Sequence, residues 1–424
     1  MHIGKSINWP LVLLVLLTAW SCKTSTKWGG QAPIRIVPTT TLPIQKQHIG
    51  IFDLGEGIYA SNAFTGARLN GIIFANDTIT ALITPENTPI NPSPWYAFKI
   101  WADREQQVPL KLTYQAEVNH RYPPKLSKDG INWENLSEDR YQLGPTSLAP
   151  NGRKLSPYVS MDLTVGPDTL WVSAQELITS KEVKKWISGL ASAPYVSAQS
   201  IGRSREGRAI DLLKIGNGDD QKMVFVLSRQ HPPEVTGFLA MQAFVETIAG
   251  DSETAKSFRE QYNTYVVPLA NPDGVDNGHW RHNAGGIDLN RDWRNVNQPE
   301  VAAIQQFMRE KVANSNGQFY FGVDFHSTWE DIYYTMHPEL KGNMPGLVDQ
   351  MIEAMAQEIK ELTPNIRPGG SQERGVTSSQ YFFHEFGAEA LTYEIGDNTP
   401  RDLLKKKGEV SAMKLMEIMI ERGQ

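Results

Sequence analysis

His231-Pro-Pro-Glu234 sets an imidazole and a carboxylate three residues apart, between a strand-like run at 222–228 and a helix-like run at 234–249. Two donors at that spacing can reach one metal ion from a turn, although His-x-x-Glu alone is weak evidence and better fits a structural or chance pair. Three other segments change the weighing. Asn271-Pro-Asp-Gly274 is followed by Arg281-x-Asn283 and Asp288-Leu-Asn-Arg291-Asp-Trp293. Asp324-Phe-His-Ser327 puts His326 at the end of an apolar strand-like run, and Leu391-Thr-Tyr-Glu394 puts an acid at the end of another. Polar groups at the carboxyl ends of strands are where open α/β sheets gather their sites.

Positioning such groups requires a frame, and the sequence divides into two. Between 50 and 177 the signals are short and β-like, as in Gly71-Ile-Ile-Phe-Ala75 and the runs 79–84, 95–101, 110–114 and 169–173. Pro, Gly, Asn and Asp separate them, which predicts an all-β, antiparallel sandwich over 48–177. Beyond 178, helical runs (181–191, 234–249, 299–311, 345–362, 401–422) alternate with strand-like ones (209–215, 222–228, 264–269, 319–325, 388–394). That alternation predicts an α/β domain over 178–424 with a mixed, largely parallel sheet flanked by helices. No internal repeat is visible.

The 424 residues fit two or three domains, each long enough for its own core. Lys and Arg number 41 against 47 Asp and Glu, a net charge of −6, which argues against a nucleic-acid partner. The one cysteine, Cys22, excludes an intramolecular disulfide. It follows Lys5, an apolar run from Trp9 to Trp20, and Ser21. The run is short for a bilayer span and has the length of a signal-peptide core. Residues 1–21 resemble a bacterial lipoprotein signal, which would leave Cys22 lipidated as a membrane anchor in the cell envelope; an ordinary cleaved signal and an uncleaved anchor are the other readings. The Thr-, Ser-, Pro- and Gly-rich stretch 22–47 reads as a tether.

The joint order and spacing of the segments resemble the M14 family of zinc carboxypeptidases over 178–424. Gly202-Arg-Ser-Arg-Glu-Gly-Arg-Ala-Ile210 is similar to that family's lead-in to the metal motif. Pro94-Trp-Tyr-Ala-Phe98 and Arg121-Tyr-Pro-Pro-Lys125 narrow the resemblance to the cytosolic-carboxypeptidase-like branch, whose catalytic domain follows a β-sandwich. The resemblance implies one Zn²⁺ held by His231, Glu234 and His326. That set suits zinc and leaves a fourth position for water, whose pKa zinc lowers to about 7. It makes Asp288 the acid behind the first histidine, Glu394 the general base (Asp397 the weaker candidate) and Arg281 the oxyanion-stabilising cation, with His282 and Arg294 as neighbouring alternatives. Asn290 and Arg291 become the grip on a substrate's free C-terminal carboxylate, a task for a planar guanidinium. His279, His337 and His384 take no role.

The chain departs from the family at its mobile tyrosine, since 370–380 contains none. The side-chain pocket is expected along 375–383, where Thr377, Ser378, Ser379 and Gln380 declare no preference; Arg374 would favour an acidic terminal residue. The function implied is a zinc metallocarboxypeptidase acting on peptides outside the cytoplasm. The alternatives are an M14-type hydrolase of peptidoglycan stem peptides and, from another class, a slow glycan- or protein-binding lipoprotein. Oligomeric state is open.

Overall fold

The computed structural model describes residues 30–88, 91–115, 118–148, 154–370 and 375–423. The signal-like segment and Cys22 lie outside the described residues, as does Arg374. Among the described residues no helix is long and apolar enough to cross a membrane.

The N-terminal part is a sandwich of two sheets. One runs Ile51–Gly55, Ile58–Ser61, Ala97–Ala102, Leu170–Ser173, Lys125–Ser127, Glu134–Asn135; the other runs Gly71–Ala75, Thr78–Ile83, Gln106–Tyr114, Tyr158–Val165, Tyr141–Leu143. Alternation drives the packing. Val108, Leu110 and Leu112 face inward from one long strand and Val159, Met161 and Leu163 from its neighbour, all fully or nearly buried. Among the described residues the sandwich is antiparallel except at one place: Thr78–Ile83 runs parallel to Gln106–Tyr114, the chain crossing to the other sheet through Ala97–Ala102 before it returns.

The C-terminal part is built on one eight-stranded sheet. Its strands are β1 (Val196–Arg203), β2 (Ala209–Ile215), β3 (Lys222–Ser228), β4 (Asn263–Val267), β5 (Gln318–Thr328), β6 (Ile332–Thr335), β7 (Ile366–Pro368) and β8 (Glu389–Gly396), in the order β1-β2-β4-β3-β5-β8-β6-β7. The central four are parallel; β1, β2 and β6 join by antiparallel pairings on the flanks, and β7 pairs parallel to β6 at one edge. Strand β3 shows why its sequence is apolar throughout: Val224 and Val226 enter the core on one face, and Met223, Phe225 and Leu227 the core on the other. Each such side chain contributes about 1.5–3 kcal/mol on burial. The helices are α1 (Ser180–Leu190), α2 (Val235–Ile248), α3 (Glu253–Gln261), α4 (Pro272–Asp276), α5 (Pro299–Ser315), α6 (Leu347–Glu358), α7 (Ser378–Phe386) and α8 (Arg401–Arg422). Helices α2, α6 and α8 cover one face, α5 and α7 the other.

Two findings differ from the sequence reading. The stretch expected as a tether is, over 30–47, a strap laid on the body. Thr39 is buried: its hydroxyl accepts from Asn295 and Asn297, and its carbonyl accepts from Gln298. The Gln31 amide donates to Pro368 O, and that of Leu42 to Gly285 O. A Pro- and Thr-rich run has no core of its own, but its backbone groups pair with the domain it crosses. In addition, the two parts share apolar contacts. Trp280 and Val235, from the α/β part, pack in the sandwich core.

Candidate metal and peptidase site

His231 and Glu234 stand where β3 gives way to α2. The chain turns at Arg229, whose φ is +54° and whose guanidinium donates to Pro232 O at 2.7 Å. Glu234 then occupies the N-cap of α2, a helix end that favours a negative group. His326 lies on the adjacent strand β5. Helix α2 presses close to it: a Cβ on Gly237 would collide with the His326 carbonyl, and the Gly237 amide donates to Ser327 Oγ at 2.8 Å. Glycine there lets one metal-ligand candidate approach the other.

The three side chains are buried, and their donor atoms lie within 4.8 Å of one another. His231 Nδ1 is 2.8 Å from Glu234 Oε1 and His326 Nδ1 2.7 Å from Glu234 Oε2. The two Nδ1 atoms are 3.2 Å apart, a separation that ligands of one small cation adopt. Each imidazole is backed on its far nitrogen by a carboxylate, His231 Nε2 by Asp288 at 2.9 Å and His326 Nε2 by Asp324 at 2.7 Å. That arrangement orients metal-bound histidines. Burial alone would raise the Glu234 and Asp288 carboxyls. The histidines overcome this for Glu234, and Arg281, His231 and Arg291 for Asp288, so both lie below the usual carboxylate range. Burial disfavours a protonated His326, yet Asp324 and Glu234 push its pKa well above the usual imidazole range. The donor set and this concentration of buried carboxylates fit Zn²⁺.

Glu394, near the end of β8, is paired in register with His326 across the sheet. Its Oε2 is buried without a hydrogen-bond partner. Burial, with Glu234 nearby, pushes its pKa up to about 7 against the pull of His326, His231 and Arg121. Asp397, the weaker candidate for the base, is committed elsewhere. Arg121 of the sandwich grips it through Nε at 2.7 Å and Nη2 at 3.2 Å, and also donates to Ser93 Oγ and the Ser327 carbonyl.

Arg281, Asn290, Arg291 and Glu394 line one cleft of 160 Å³ together with His231 and Glu234. Arg281 is oriented by its Nε, which donates to Asp288 Oδ2 at 2.7 Å. Arg291 donates through Nη1 to the Asn290 carbonyl, while its Nε is buried without a partner. Asn290 is drawn inward: its Oδ1 accepts from the Ser378 amide at 3.0 Å and its Nδ2 lies 3.3 Å from His326 Nε2. Thr377, Ser379 and Gln380 face the cleft, whereas Ser378 lies beneath, bonded to Asp324. His282 is bound to the buried Glu86, and Arg294 is exposed. His279 is buried and bonded to the His282 carbonyl.

The sequence reading missed several contributors. Asp324 was readable, because period two places it on the same strand face as His326. Tyr334 of β6 lines the cleft and pairs in register with Thr392 on β8. Gln31 and Ile34 of the strap form part of the cleft wall. Neither the tyrosine nor the strap carries a local signal.

The family of zinc carboxypeptidases (Peptidase_M14) matches residues 183–393, which span all three metal-ligand candidates and stop one residue short of Glu394. This chain carries an M14 zinc carboxypeptidase domain. Cytosolic carboxypeptidase 6 of Caenorhabditis elegans is 28% identical to it over 159 residues, 35% of each chain. The chain spans about half, or less, of the length of the curated relatives it matches. Among solved structures, a metallo-carboxypeptidase from Burkholderia cenocepacia superposes with a TM-score of 0.69 at 19% identity, over 86% of this chain and 99% of that one. A metallo-carboxypeptidase from Pseudomonas aeruginosa does so with a TM-score of 0.66 at 19% identity, over 86% and 100%. Both cover the sandwich as well as the M14 domain, and both establish the fold.

Proposed function

We propose that this chain is a metallocarboxypeptidase that removes the C-terminal residue of peptides outside the cytoplasm, held to a membrane through Cys22. The observation that carries the reading is the meeting, in one cleft, of His231 and Glu234 with Glu394 and the guanidinium groups of Arg281 and Arg291, with His326 completing the metal-ligand triad 3.2 Å from His231 and 2.7 Å from Glu234. Zinc in the triad would supply Lewis acidity toward water and the scissile carbonyl. Glu394 takes the proton of the attacking water and returns it to the leaving amine. Arg281, held in plane by Asp288, stabilises the negative charge that develops on the carbonyl oxygen. Arg291 pairs with the terminal carboxylate, and Asn290 borders the same end of the cleft. A guanidinium buried beside the cleft without its anion is costly, which favours substrates that end in a free carboxylate.

The test uses protein lacking residues 1–22, zinc-loaded, against paired peptides with free and amidated C-termini, read by mass spectrometry. Single-residue losses from the free acids alone are expected. Internal cuts, or equal cleavage of the amides, would overturn the reading. The lipoprotein-like start supports the envelope location, and with it peptidoglycan stem peptides as a second substrate class. Loss of lipid from the exported Cys22→Ser protein is the expected result there.

A further inference from the structure

Arg281 sits in a loop that the M14 domain does not fix by itself. On one side, Trp280 is fully buried in the sandwich core, and its Nε1 donates to the Trp95 carbonyl at 3.0 Å. On the other, His282 donates through Nδ1 to Glu86, 2.8 Å away. Glu86 belongs to the sandwich and is fully buried. Its Oε2 accepts the Trp280 amide at 2.7 Å; its Oε1 accepts the amides of Arg281 at 3.2 Å and His282 at 2.9 Å. Three successive N–H groups turned on one anion form a nest, a concavity suited to a negative group. Burying a carboxylate is expensive unless it is fully hydrogen-bonded. Glu86 meets that condition, yet it touches neither the metal-ligand candidates nor the cleft.

We propose that Glu86 is a positioning residue for Arg281: the sandwich domain sets where the oxyanion-stabilising guanidinium stands. The inference rests on the role given to Arg281 above. It assigns the sandwich a part in the chemistry, with Asp288 fixing the side chain and Glu86 fixing the backbone from which it springs.

The test compares Glu86→Gln, Arg281→Ala and the double variant in the zinc-loaded full chain, with amide exchange measured over 280–282. A carboxamide would turn N–H donors against the nest's own donors. Glu86→Gln is expected to speed exchange at those amides about tenfold or more. It should lower kcat by about tenfold to a hundredfold, the usual cost of a misplaced catalytic group, with zinc content unchanged. In the Arg281→Ala background the same substitution should cost less than about twofold, since groups acting as a unit are not additive. Unchanged exchange, or an equal loss in both backgrounds, would overturn the proposal. If Glu86→Gln does not fold, Glu86→Asp keeps the charge one methylene short and is expected to show a smaller loss with the same non-additivity. Full activity in Arg281→Ala alone would remove the role of Arg281, while exchange would still decide whether Glu86 holds the loop.

Discussion

In the α/β part, buried charges converge. His231, Glu234, His326 and Glu394 meet at strand ends, and Asp288 and Asp324 stand directly behind the imidazoles. In the sandwich, two buried charges reach out into the other part, Glu86 onto the Arg281 loop and Arg121 onto Asp397, while Arg68 and Lys125 bond within it. One region carries the groups that fit the reaction; the other holds the backbone segments from which those groups project. A catalytic constellation needs both, because reactive groups must be held within a fraction of an ångström.

Variants can break this division of labour at graded cost. Glu394→Gln acts on chemistry alone: kcat is expected to fall by about 10²–10⁴-fold with stoichiometric zinc retained, read by steady-state kinetics beside metal analysis. Near-normal turnover would return the base to another group. Arg121→Met acts from the sandwich and leaves Asp397 buried and unpaired, a change that costs about 3–5 kcal/mol of stability in denaturant titration. Both side chains are nearly solvent-free, at 3% and 2% exposure, so screening offers little relief. A loss below about 1 kcal/mol, the scale of an exposed pair, would mean that the interface is not held there.

Asp324→Asn sharpens the comparison from the metal side. Removing the carboxylate behind His326 should weaken zinc binding about 10–100-fold, measured by competition with a chelator, while kcat of the zinc-saturated protein changes less than in Glu394→Gln. The smallest effect concerns pH. Glu394 acts as a base only when ionised, so activity is lost as pH falls through its pKa. Burial places that near 7, and a cation in the triad pulls it down, so the acid limb of kcat/KM should have its midpoint at or below about 7. A limb well above 7 would assign it to a different group.

The cleft's chemistry was legible because its donors cluster in short segments at the ends of apolar strands. The frame was legible where burial leaves a pattern: α8 was read at its observed limits, and β2 and β3 likewise. Strand β1 was not, since most of its residues are exposed or half-exposed and it shows no apolar alternation. Tyr158–Val165, with four buried residues strictly alternating, carries a period-two signal, but polar Ser160, Asp162 and Thr164 between them break up its apolar run. The sandwich's polar anchors were beyond reach for another reason. Glu86 and Trp280 lie 194 positions apart and Arg121 and Asp397 276, and nothing local marks a residue whose partner is that distant. The strap was read as a tether because its composition reports only what the segment cannot do alone.

Trp280 carries one more consequence. Its ring fills the interior of the neighbouring domain, so the sandwich core is completed by a side chain from beyond the boundary near residue 178. Recombination that exchanged the sandwich for an unrelated module would leave an indole with nowhere to go and a hole where it had been. The two halves are therefore bound to be inherited together, and variation on one side of the seam is constrained by the shape of the other.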